Sequence, residues 1–89
     1  MEKKSEGTIM DGKEQKILDI LQDIRPEYDF TASDDFVGDG LLDSFDMVTF
    51  VSELENTFGI VIDGLDIVPE NFATIPAILE TIKKNGGNV

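Results

Sequence analysis

Apolar residues recur along this chain at helical rather than strand spacing. Ile17, Ile20, Leu21 and Ile24 follow one another in steps of three and four, and a stripe with that period faces one side of an α-helix. Asp11 can cap the backbone ahead of it, with Glu14 three residues on in the capping-box arrangement. Pro26 restricts Arg25 and ends the run, so the pattern predicts a first helix over residues 12–24. A second helix is predicted over 44–58: Asp43 caps it, Asp46 adds an acid to its first turn, and Gly59 stops it. Val48, Val51, Leu54 and Phe58 form its buried stripe, with Glu55 at the edge. Thr74 caps a last helix carrying Ile75, Ile78, Leu79 and Ile82, with Lys83 and Lys84 at its negative end, beyond which the chain frays through residues 85–87. Pro69 starts a short helical turn through Phe72.

The connections are read from the same pattern. Residues 26–43 form a connection too long to be idle in so small a protein, and Phe30, Phe36, Val37, Leu41 and Leu42 are apolar enough to pin it across a helical core. Gly38 and Gly40 permit turns within it. Ile60, Val61 and Ile62 are β-branched, but no second strand exists to pair with them, so they read as buried loop. The fold class is therefore all-α: a small four-helix bundle with three longer helices, one short helix and a long loop between helices I and II. Residues 1–10 carry little apolar content and read as a disordered leader, 11–85 as one domain, and 86–89 as a disordered tail.

Composition narrows the chemistry. An 89-residue chain buries roughly 60–68% of its unfolded surface, which leaves room for one modest core and no large catalytic apparatus. With 19 acids against 7 bases the net charge is −12; a nucleic-acid partner would meet repulsion where phosphate neutralisation normally supplies affinity. The absence of both Cys and His removes disulfides, thiolate and imidazole metal sites, and Ser-His or Cys-His catalysis within the chain. No apolar run approaches the ~20 residues that span a bilayer, and the opening residues are too polar for a signal peptide, so the expectation is a cytoplasmic, monomeric protein.

Charge is also unevenly placed. Every Lys and Arg lies at position 25 or earlier or at 83 or later, while residues 26–82 hold thirteen acids and no base. Mixed signs would stabilise helix faces by ~0.2–0.5 kcal/mol per pair, and the second helix forgoes them. Solubility explains some of these acids; those around Asp43 read as an electronegative surface for basic partner proteins. Calcium is rejected, because the nearest EF-hand register, starting at Asp35, puts Val37 and Asp46 where a ligand and a bidentate Glu are needed.

Ser44 is the most informative residue. In isolation, a serine after an acid at a helix start is only part of the cap. Here it ends a long acidic loop, heads an acidic amphipathic helix and belongs to a chain without a catalytic base. That combination suits a serine modified by another enzyme, and a phosphodiester on its oxygen would sit at a positive helix end.

The segment Gly40, Leu41, Leu42, Asp43, Ser44, Phe45 resembles the acyl carrier proteins, in which a serine in an Asp-Ser-Leu-type motif opens helix II. The resemblance covers roughly residues 13–84 and includes Phe36 and Val37 before the serine, the Glu55 and Phe58 end of helix II, and the Thr74–Ile82 segment. It implies that a separate phosphopantetheinyl transferase attaches 4′-phosphopantetheine from coenzyme A to Ser44. It also implies that cargo is held as a thioester on the arm, and that the chain presents it to acyl-processing enzymes without being an enzyme itself. Phe45 stands where fatty-acid carriers typically have leucine, Gly40-Leu41-Leu42 replaces their Leu-Gly-Ala, and Thr49 takes an often acidic position. The Gly-Leu-Leu-Asp-Ser run looks more like D-alanyl carrier proteins and other stand-alone carriers loaded by AMP-forming ligases. Acyl and aminoacyl cargo therefore both stay open, with an acidic helical adaptor lacking any prosthetic group as the third reading. Asp43, Asp46, Glu53 and Glu55 are expected to recruit the transferase and the loading ligase. Phe45 and Met47 fall off the predicted stripe and form an apolar spot beside Ser44, unless Phe45 tucks against the loop.

Overall fold

Three α-helices carry the architecture: α1 (Gly12–Ile24), α2 (Ser44–Phe58) and α3 (Ile75–Lys84). They are seen in a computed structural model that describes residues 12–87; the expected leader, the Asp11 cap and residues 88–89 lie outside the described residues. Among the described residues there is no strand. The bounds of α1 and α2 are those the capping and periodicity arguments give, and Thr74 Oγ1 caps α3 by accepting from Ala77 N at 3.2 Å. The short helical turn expected from Pro69 through Phe72 is present as a 3-10 turn capped by Phe72, so the fourth element is a single turn rather than an α-helix. That turn covers Pro69–Asn71, and two further 3-10 turns, unforeseen in the sequence, cover Phe30–Ala32 and, just ahead of Pro69, Gly64–Asp66. Asn71 Nδ2 donates to Asp66 O at 2.8 Å, tying one turn to the other in place of a continued helix.

The core is one cluster. Ile17, Leu18 and Leu21 of α1 meet Met47, Phe50, Val51 and Leu54 of α2 and Ile78 and Ile82 of α3. Phe30, Phe36 and Leu42 from the long loop complete it together with Ile62 and Phe72. The loop is pinned as its apolar content requires: Phe30 and Phe36 stack edge to face at 5.3 Å, and Phe36 N donates to Ala73 O at 2.8 Å. Ile60–Ile62 is loop, but only Ile62 is buried and Val61 faces water.

The register of α2 differs from the predicted stripe. Val48 is exposed and Phe58 half-buried, while Met47 and Phe50 point inward. At 100° per residue, Met47, Phe50, Val51, Leu54 and Phe58 share one face, from whose centre Val48 lies about 100° away. Phe50 meets Phe72 edge to face at 6.0 Å, so the larger side chain sets the register.

The end of α3 is also firmer than expected. Asn85 does not fray: its side chain accepts from Asp63 N at 2.9 Å and donates to Asp66 Oδ2 at 3.1 Å. Lys84 Nζ pairs with Asp66 Oδ1 at 3.1 Å. The hydrogen bonds from Lys84 and Asn85 hold the Asp66 carboxyl below the usual carboxylate range.

Candidate functional site

The long loop delivers the start of α2 through a tight turn. Leu41 N and Leu42 N both donate to Phe36 O, at 2.9 and 3.1 Å, and Gly40 takes φ 81°, a left-handed conformation that suits glycine. Leu42 is then buried, which sets Asp43 at the helix cap. Asp46 N donates to Asp43 Oδ1 at 2.8 Å and Asp43 N donates to Asp46 Oδ2 at 3.2 Å, a reciprocal capping box. Ser44 is the first residue of the helix it opens.

Ser44 is exposed, and no side-chain hydrogen bond engages its hydroxyl among the described residues. Beside it lies a shallow cleft of about 310 Å³, lined by Ser44, Met47, Val48, Ile67 and Pro69. The hydroxyl therefore sits at a positive helix end, free to be approached, with a largely apolar surface next to it. Those features fit attachment of a phosphodiester-linked group.

The surrounding acids are not all surface acids. Asp43 and Glu53 are exposed, as the partner-surface reading requires. Glu55 is half-buried and turns its carboxylate back to accept from Ile62 N at 2.9 Å. Asp46 is only 9% exposed, and Arg25 Nε donates to its Oδ2 at 2.8 Å. Burial pushes the Asp46 carboxyl up, but the Arg25 hydrogen bond, the Asp43 backbone N–H and the Arg25 charge together outweigh it and hold the group below its ordinary range. Arg25 is raised in turn, first by its hydrogen bond to Asp46.

The apolar spot is also rearranged. Phe45 is 84% exposed, so it does not tuck against the loop, but Met47 is 8% exposed and belongs to the core. Val48, at 65% exposed, takes its place beside Phe45. Sequence reasoning missed Arg25 as part of this site; its signal was its isolation, as the only base between residues 17 and 82. The acids of the rejected calcium register serve the loop itself: Asp35 Oδ1 accepts from Gly38 N at 2.8 Å and Asp39 Oδ2 from Ser33 Oγ at 2.6 Å. Among the described residues no group of three acids is placed to hold a metal ion, and no helix is long and apolar enough to cross a membrane.

A family model described as a phosphopantetheine attachment site matches residues 15–82 of the chain. No curated protein and no solved structure matches it.

Proposed function

The chain belongs to the phosphopantetheine-attachment family, whose prosthetic group is covalently bound 4′-phosphopantetheine, and from that premise we propose that it is an acyl carrier protein with Ser44 as the attachment residue. The observation that carries this reading is the exposed Ser44 hydroxyl, unengaged on the first turn of α2 and flanked by the apolar cleft. When attached, the arm supplies a terminal thiol that holds cargo as a thioester. Everything else is presentation by the protein: the Asp43–Asp46 capping box orders the turn, Leu42 anchors the approach to it, and Phe45 and Val48 offer apolar contact to a visiting enzyme. Carrier domains of this family are generally not catalysts, and the absence of His and Cys leaves the base for modification to a separate phosphopantetheinyl transferase.

An acyl group is the proposed cargo. The Gly40-Leu41-Leu42-Asp43-Ser44 run supports an aminoacyl or D-alanyl cargo, loaded by an AMP-forming ligase, as the alternative. Intact mass after incubation with coenzyme A and a promiscuous transferase tests the attachment: the wild type gains one arm and Ser44→Ala, folded, gains none. Arm addition to Ser44→Ala at the wild-type extent would falsify the assignment. Incubating the arm-bearing protein with acyl-loading and aminoacyl-loading ligases then separates the two cargo classes.

A further inference from the structure

Arg25 follows the last residue of α1, yet its guanidinium gathers carboxylates from both sides of the long loop. Nε donates to Asp46 Oδ2 at 2.8 Å, and the two outer nitrogens reach Asp43 Oδ2 and Glu27 Oε2 at 3.4 Å each. Asp46 Oδ2 is also the oxygen that accepts from Asp43 N. One carboxylate oxygen thus joins the cation to the capping box that opens α2.

We propose that Arg25 is a positioning residue for modification of Ser44: it neutralises and orients the Asp43–Asp46 box, and so fixes the first turn on which the hydroxyl is presented. The proposal rests on the carrier reading of Ser44. Its physical basis is the burial of Asp46. A carboxylate so shielded from water and deprived of its cation gains hydration by rotating outward, and that rotation weakens the bond from Asp43 N. Asp43, no longer held by the guanidinium, is then freer to leave the Asp46 amide. A planar fork can meet two carboxylates at once, which a lysine ammonium does less well.

Modification kinetics with coenzyme A and a promiscuous transferase test this on the full chain, comparing wild type, Arg25→Gln, Arg25→Lys, and Arg25→Gln in an Asp46→Asn background. The expected result is a drop of about tenfold in kcat/KM for Arg25→Gln, carried mainly in kcat because the reacting hydroxyl is misplaced rather than unbound. Arg25→Lys recovers part of it. In the Asp46→Asn background the same Arg25→Gln step costs less, since the two residues act through one contact. Amide hydrogen exchange at Asp43 and Asp46 quickens in Arg25→Gln while that of Phe50 and Leu54 holds. Arm addition to Arg25→Gln at the wild-type rate overturns the proposal. So does a slowing accompanied by equal loss of protection at Phe50 and Leu54, which makes Arg25 a residue of general stability. Failure of the wild type to take any arm overturns the carrier reading instead; unchanged exchange at Asp43 and Asp46 in Arg25→Gln then overturns the proposal separately.

Discussion

Met47 and Val48 are neighbours on α2, both apolar, and the fold treats them oppositely: Met47 is 8% exposed and Val48 65%. The inner face of the helix, Met47, Phe50, Val51 and Leu54, is packed into the common core. The outer face of its first turns presents Ser44, Phe45 and Val48 to water. Scattered exposed apolar residues need no explanation, but here two adjoin an unengaged hydroxyl and an apolar cleft. Folding gains nothing from their apolarity. The difference between the faces therefore separates what holds the bundle from what it displays.

The largest expected effect is on the inner face. Phe50→Ala removes a fully buried ring that packs on Phe72 and should cost about 3–5 kcal/mol in denaturant unfolding. Val48→Ala should change stability by no more than about 0.5 kcal/mol. Equal costs at the two positions would erase the distinction between the faces.

Between the faces lies Asp46, buried but charged. Asp46→Asn keeps an acceptor for Asp43 N and loses the ion pair with Arg25, with an expected loss of about 1–2 kcal/mol at pH 7. Its pH dependence has a definite sign. The folded carboxyl titrates below the unfolded one, so its stabilisation is fully present above the unfolded pKa of about 4 and disappears as pH falls through the folded value. Wild type should therefore lose stability on acidification below about pH 4 more steeply than Asp46→Asn, and the two curves should converge. Parallel curves in urea titrations across that range would show that the ionised Asp46 carboxylate does not contribute to stability through Arg25.

The helix bounds were legible because caps and breakers act locally: Asp43, Gly59, Thr74 and Pro26 decide them without help from the rest of the chain. The α2 register was not, because Val51, Leu54 and Phe58 suit either neighbouring stripe and only the ring of Phe72, brought in from afar, favours Phe50. The turn opened by Pro69 was legible at its start, and it stays a single 3-10 turn, with Phe72 N donating to Pro69 O at 3.1 Å, because so short a segment lacks the internal hydrogen bonds that propagate an α-helix. Ser44 could be picked out as a candidate by its place at a helix start after an acidic loop, whereas Arg25 enters the candidate site only because folding closes a separation of 21 residues to Asp46.

The smallest expected effect on stability comes from the outer face, and it is the one that most sharpens the functional side of the comparison. A Phe45→Ser, Val48→Ser double variant removes apolar surface already in water, so its unfolding free energy should stay within about 0.5 kcal/mol of wild type. If that surface is buried against a modifying enzyme, the lost contact is worth about 1–2 kcal/mol, and kcat/KM for arm addition should fall about 5- to 30-fold. Salt dependence distinguishes this from recruitment by charge. Attraction by the exposed acids Asp43 and Glu53 weakens as the screening length shrinks, from about 10 Å at 0.1 M to about 3 Å at 1 M; apolar burial does not weaken in that way. The ratio of wild-type to double-variant kcat/KM should therefore hold steady from low to high salt, even while both rates decline. A ratio near one at low salt as well as at high salt would mean that charge does the recruiting and that the exposed Phe45 and Val48 contribute little.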